Sequence, residues 1–332
     1  MAVIGFHASH EQISPAQLLR DVQHADRAGF QGAMCSDHIE PWSARQGHSG
    51  FAWSWLGAAL ATTRLHLGVV NAPGQRYHPA VVAHAIATLG SMFPGRFWAA
   101  LGSGENMNEH ITADPWPPKE ERQARLEESV EVIRRLLEGQ TVTHEGLVRT
   151  ERARLWDVPE PVPHLIAAAV TPETAARSAR WADGLITVGQ DLGALRRVAD
   201  AYRSNGGRGR LILQVHLSWA PTDGEALALA HDQWRSGVLT PPGIWDIATA
   251  EDFDAATAGT TPEEVRRAVL VSPDTAEHVQ RLQEFISLGF DELYLHHVGQ
   301  RQSDFIDAFG ADVIPALLTT DNLTPADEQV TY

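Results

Sequence analysis

The sequence predicts a (β/α)₈ TIM barrel, with insertions after the fourth and seventh strands. Three observations carry this. Eight short apolar segments alternate with longer amphipathic ones along nearly the whole chain. Each apolar segment is hydrophobic on both faces, as a parallel strand between a barrel interior and an outer helix must be. The glycine-rich first turn of a doubly wound open sheet is missing; "LGSGEN" (101–106) comes nearest and lacks the G-x-G-x-x-G spacing.

The strands read, in order, "VIGFHAS" (3–9), "GAMCS" (32–36), "LHLGVV" (65–70), "FWAALGS" (97–103), "HLIAAAV" (164–170), "GLITVG" (184–189), "LILQVHLSW" (211–219) and "ELYLHHV" (292–298). The helix after the first strand is "SPAQLLRDVQHADRAGF" (14–30), with Ser14 as N-cap, Pro15 in the first turn and Gly29 as terminator. "TPETAARSARWADG" (171–184) and "SPDTAEHVQRLQEFISLGF" (272–290) repeat that punctuation. Residues 105–120 and 139–163 flank the fourth helix and are rich in proline, and 237–262 separates the last two strands. Insertions of that size after barrel strands build walls or lids over a site. No repeat or linker interrupts the pattern, so 1–318 reads as a single domain and 319–332 as a C-terminal tail.

Composition excludes several classes of function. The 332 residues carry a formal net charge of −16, which disfavours nucleic acid and anionic membrane as partners and leaves a small-molecule substrate. Cys35 is the only cysteine, so no disulfide framework or thiolate zinc site can form. That, with an N-terminus lacking a leader's charged and apolar regions, points to the cytoplasm. No apolar run approaches the roughly 20 residues of a membrane span. Lys119 is the only lysine, so a P-loop is excluded and anions must be met by arginine, backbone amides or helix N-termini.

In a barrel of this kind the site lies at the C-terminal strand ends. These ends deliver His7, Ser9, His10 and Glu11; then Asp37, His38 and Trp42; then Asn71, Gln75, Arg76 and Tyr77; then Ser103, Glu105 and Asn108. Later strands add Thr171 at a helix N-terminus, His216 and Trp219, and His296 with His297. A metal site built from His7, His10, His38 and His296 is disfavoured, because the spacing in "HASH" sends His7 and His10 to opposite faces while the strand continues. Individually, Asp37 and Glu105 also suit turn or cap roles, and His216 suits an ordinary core position. By alternation, one of His296 and His297 must face outward. Trp53 and Trp55 read as packing residues of the second helix. Together, an acid–imidazole pair, a facing carboxylate and an indole are the parts of a proton-transfer site beside a flat ligand.

At these residues the sequence resembles the luciferase-like family of flavin- and deazaflavin-dependent oxidoreductases, near the branch containing F420-dependent glucose-6-phosphate dehydrogenase. The likeness rests on "ASHEQISP" (8–15), "SDHIEPW" (36–42), "GHSGFAWSWLGA" (47–58), "RYHPAVVAHAIATLGSMFPGRF" (76–97) and "LGSGENMNEH" (101–110), with "ADGLIT" (182–187) and the final strand extending it. It implies a TIM barrel with a non-prolyl cis peptide and a bulge near Val69 and Val70, backing the ring of FMN or coenzyme F420. It implies His38 acting on a substrate hydroxyl proton, Trp42 stabilising the intermediate and Glu105 protonating the ring. Asp37, Val69, Val70, Asn71, Gly104 and Asn108 would contact the cofactor, with Thr171 and its helix N-terminus taking a phosphate. No metal is implied. The family's sugar-phosphate lysines are absent here, and FMN is preferred over F420. Hydride transfer is the expected reaction, with oxygenation by reduced FMN and metal-dependent hydrolysis as alternatives. The tryptophan-rich second helix offers a contact for a homodimer.

Overall fold

The computed structural model describes residues 2–320 except residue 242. Its strands are β1 (Val3–His7), β2 (Gly32–Ser36), β3 (His66–Asn71), β4 (Phe97–Leu101), β5 (Val142–Glu145), β6 (Arg149–Ala153), β7 (His164–Ala168), β8 (Gly184–Val188), β9 (Arg210–Ser218), β10 (Leu270–Val271) and β11 (Glu292–His297). Eight of them pair in parallel as β1-β2-β3-β4-β7-β8-β9-β11, and β11 returns to β1 to close the (β/α)₈ barrel. All eight predicted strands are present. Those at 3–9, 97–103 and 164–170 end two residues early, where the chain turns out of the ladder into polar loops.

Alternation along each strand sorts side chains into two cores. Ile4, Phe6, Leu67, Val69, Leu213, Leu293 and Leu295 face outward and pack under the helix ring. Met34, Trp98, Ala100, Ile166, Ile186, Ile212 and Tyr294 face inward and fill the barrel floor. Two bulky rings fit there because facing strands carry glycine. A Cβ on Gly68 would lie 2.1 Å from the Trp98 ring, and one on Gly5 would lie 2.4 Å from Tyr294. The floor is therefore a packed plug, and only the upper mouth is left for chemistry.

The helix punctuation holds in part. The helix Pro15–Ala28 ends at Gly29 with φ 98°, although the Ser14 side chain makes no capping bond. The helix Pro172–Ser178 is capped by Thr171, which accepts from Thr174 N–H. In the third case the cap is Asp274 and not Ser272. The insertion after β4 contains the antiparallel β5–β6 hairpin, and that after β9 contains the helix Ala250–Ala256. The last helix, Ile314–Thr320, runs past 318, and residues 321–332 of the expected tail lie outside the described residues. Among the described residues no helix is long and apolar enough to cross a membrane.

Candidate active site

The loops after β1, β2 and β4 bring four carboxylates and the His38 imidazole into the barrel mouth, and the loop after β3 brings Arg76. His38, just past β2, is held between two of these acids. Its Nδ1 lies 2.7 Å from Glu11 Oε1 and its Nε2 lies 3.6 Å from Glu105 Oε2. Glu11 also accepts a hydrogen bond from Ser9 Oγ at 2.7 Å. Burial alone would raise the Glu11 carboxyl, but the His38 hydrogen bond and charge outweigh it and bring the pKa down to about 2. Glu11 is thus an ionised acceptor at neutral pH. It places the proton on His38 Nδ1 and leaves Nε2 as the basic nitrogen.

The same contact sets the basicity of His38. Burial lowers it, but the hydrogen bond and charge of Glu11, followed by the charge of Glu105, raise the imidazole above its ordinary value. Glu105 moves the same way for a different reason. Although its side chain is 26% exposed, the surrounding walls raise its carboxyl, and His38 only partly offsets this.

A second network fixes the β2–β3–β4 side. Asp37 accepts from Asn71 Nδ2 at 2.9 Å, and Arg76 Nη2 donates to the Asp37 carbonyl at 2.6 Å. Arg76 also approaches Glu109, whose carboxylate accepts the Arg76 backbone N–H at 2.6 Å. Asn108 ties two loops together: its Oδ1 accepts from Ile39 N–H at 2.9 Å and its Nδ2 donates to Glu105 at 3.4 Å. Gly104, at φ 85°, turns the chain between Ser103 and Glu105, and its carbonyl accepts from Arg122 at 3.3 Å.

Trp42 packs edge-on to His38 with centroids 5.4 Å apart, and Phe253 of the later insertion packs on Trp42 at 5.2 Å. The two insertions meet above the mouth, since Asp246 accepts from Trp116 Nε1 at 2.9 Å and from Asn106 Nδ2 at 3.0 Å. These bonds join the two insertions next to Glu105.

The structure thus gathers His38, Glu105, Trp42, Asp37, Asn71, Gly104 and Asn108 at one mouth. Val70 faces the lumen beside the barrel plug, but Val69 faces outward into the helix-packed core. The expected cis peptide and bulge are not found there. β3 pairs in unbroken register with β2 and β4 from Leu67 through Val70, and the cis peptide bond among the described residues is Glu160–Pro161. Regular pairing on both flanks leaves the backbone at Val69–Val70 no slack for an extra residue. Thr171 Oγ1 is engaged with Thr174, as a cap. Trp55 is buried against His10, and Trp53, partly buried, packs on Phe97.

His297 is the outward member of its pair, stacked on Phe305 at 4.9 Å, while His296 faces the lumen and stacks on His7 at 4.3 Å. His216 also enters the lumen, 5.2 Å from His296, and is not the ordinary core histidine its apolar strand suggested. The roles of Glu11, Arg76 and Glu109 were not assigned from sequence. For Glu109 a signal existed: it stands four residues after Glu105, one helical turn on.

The mouth fits a flat ring with a polar edge. Asp37 Oδ1 and Asn71 Oδ1 are buried acceptors without partners, and Arg122 Nε is a buried donor without one. A flavin or deazaflavin presents an N–H and two carbonyls along one edge; a buried acceptor here suits the N–H, and Arg122 Nε with Arg76 Nε, also buried and unpaired, suit the carbonyls. A closed barrel whose mouth holds buried unpaired polar groups beside an imidazole set between two acids has the parts a flavin- or deazaflavin-dependent oxidoreductase requires. The luciferase-like monooxygenase family matches residues 1–292, and the chain belongs to that family. It is 36% identical to the F420-dependent glucose-6-phosphate dehydrogenase of Intrasporangium calvum over 333 residues, covering 96% of this chain and 99% of that one. The enzyme of the same name from Beutenbergia cavernae is 34% identical over 330 residues, covering 96% and 98%. Among solved structures, an F420-dependent secondary alcohol dehydrogenase in complex with an F420-acetone adduct superposes with TM-score 0.88 at 27% identity, covering 95% of this chain and 99% of that one. These relatives are named for F420, so the preference for FMN has no support.

Proposed function

We propose that the protein is an F420-dependent dehydrogenase that oxidises a hydroxyl-bearing small molecule. The observation that carries this reading is the row Glu11–His38–Glu105, with 2.7 Å and 3.6 Å between successive partners. The F420-dependent relatives support the choice of cofactor. Bound in the mouth, F420 would supply a two-electron hydride acceptor; the chain's own residues position the reactants and move protons.

Asp37, Asn71, Arg76 and Arg122 would hold the polar edge of the ring, and Val70 lines the lumen of the barrel. His38 Nε2 takes the substrate hydroxyl proton as the hydride leaves carbon. The imidazolium so formed lies between Glu11 and Glu105, and Glu11 stabilises it as the buried acid of a catalytic triad does. Glu105, its carboxyl raised by burial, holds the second proton that the reduced ring requires. Trp42 and Phe253 close the side of the mouth and exclude water. An oxygenase needs chiefly a dry pocket, whereas two acids bracketing one imidazole serve paired proton transfer.

Fluorescence titration with F420 and with FMN tests the cofactor. F420 is expected to bind at least 100-fold more tightly; tighter FMN, or no binding of either, would overturn the reading.

A further inference from the structure

Across the mouth from the Asp37–Arg76 network, three imidazoles from three strands converge: His7 from β1, His216 from β9 and His296 from β11. His7 stacks on His296 at 4.3 Å, and His216 lies 5.2 Å from His296. Trp234, from the segment after β9, packs against His216 and His296 at 4.6 Å each. The positions below them hold Gly5, Gln214 and Tyr294, so these imidazoles form the top layer of the lumen, above the packed plug.

His296 Nε2 meets Gln12 Oε1 at 2.6 Å and His216 Nε2 meets Gln214 Nε2 at 3.2 Å, but other polar atoms of this layer are left over. His7 Nδ1 and Nε2, His296 Nδ1 and Trp234 Nε1 have no hydrogen-bond partner, although these residues are only 3%, 1% and 5% exposed. An unpaired buried group costs on the order of 1–3 kcal/mol, so four of them on one wall point to a partner that arrives with the ligand. The wall is also uncharged: burial, the largest effect at each, holds His7 down to about 4 and His216 to about 3.

No hydrogen bond or ion pair of the described residues brings a lysine or arginine to these rings. Arg76 is engaged by Asp37 and Glu109, and Arg281 by Glu284 and the Gln190 carbonyl. A phosphate is normally met by Arg or Lys. Here it would face the four carboxylates of the mouth without a free cation on this wall.

We propose that His7, His216, His296 and Trp234 form the substrate wall, and that it selects an uncharged hydroxylated ring, such as an alicyclic secondary alcohol or an unphosphorylated sugar, over a phosphate ester. The unpaired nitrogens of His7 and His296 and the indole N–H would bond the hydroxyls remote from the reacting carbon, with the His216 ring packed beside them. This rests on the dehydrogenase reading above.

The test uses F420-loaded enzyme with cyclohexanol, glucose and glucose 6-phosphate, following loss of F420 absorbance. At least one uncharged probe is expected to show kcat/KM 100-fold or more above glucose 6-phosphate. His216→Gln and His7→Gln should each raise KM for that probe tenfold or more, with F420 affinity within twofold of the parent. Preference for glucose 6-phosphate, turnover of none of the three by F420-bound protein, or unchanged KM in both variants would overturn the wall alone. Failure to bind F420, read before substrate is added, would overturn the cofactor reading first.

Discussion

Glu11 Oε1 and His38 Nδ1, carried by the loops after β1 and β2, lie 2.7 Å apart beneath the barrel mouth. The carboxylate is almost fully buried and its pKa sits at about 2, so it remains a negative charge at neutral pH. That charge orients the imidazole, raises its basicity and turns Nε2 toward Glu105.

Replacing this carboxylate separates its positioning role from bulk packing. Glu11→Gln is expected to lower kcat/KM by about 100-fold, the lower range of general-base effects. The sign of the pH effect follows from the direction of the shift. Glu11 raises the His38 pKa, and the neutral base is the active form, so loss of Glu11 should move the acid limb of kcat/KM to lower pH. A pH-rate profile whose limb stays in place, or moves up, would show that His38 is not the titrating base.

Glu105→Gln keeps the shape and the Asn108 contact but cannot give up a carboxyl proton. F420 affinity should stay within a few-fold while turnover falls by about 10²–10⁴. Single-turnover absorbance and cofactor titration together check this; full turnover would remove the acid role.

Acid lability should track the buried histidines. His297 packs outside the lumen on Phe305, and burial, its largest influence, lowers its pKa to about 3. The unfolded chain takes up a proton near pH 6.5 that the folded one refuses, so stability is intact above that pH and falls as pH drops toward 3. The loss is roughly 1.4 kcal/mol per pH unit for each such group. Urea unfolding between pH 7 and 4.5 should show a shallower decline in His297→Gln, by about one proton, with activity retained.

The barrel floor gives a matched pair of glycine substitutions. Gly68→Ala would drive a methyl 2.1 Å from the Trp98 ring and should cost about 3 kcal/mol, the upper end of ordinary overpacking. Gly57, within the helix Ala52–Thr62, has open space at the same position, and Gly57→Ala should stabilise by roughly 0.5–1 kcal/mol. Denaturant midpoints for the two variants should move in opposite directions.

Much of this molecule is written in local pattern. A two-faced apolar strand followed by a capped helix is a short-range signal, which is why eight strands could be placed from residue order alone. The same alternation required one of His296 and His297 to point outward. His38, Trp42, Glu105 and Asp37 stood out because they follow strand ends, where a barrel puts its site.

What required the tertiary structure was every relationship between loops. His296 Nε2 lies 2.6 Å from Gln12 Oε1 across 284 residues of sequence, and Trp234 and Phe253 reach the mouth only because the chain after β9 folds back over it. Position after a strand made Glu11 one polar residue among four; only the closed barrel showed that it holds His38. The β3 backbone was also decided nonlocally, since pairing on both flanks kept Val69 and Val70 in plain register. Sequence by itself determined the barrel and put the candidate acids and imidazole at its strand ends, because propensity and alternation act locally. Only the closure of β11 onto β1 decided which histidines share a lumen, because contacts between distant strand ends exist nowhere in the linear order.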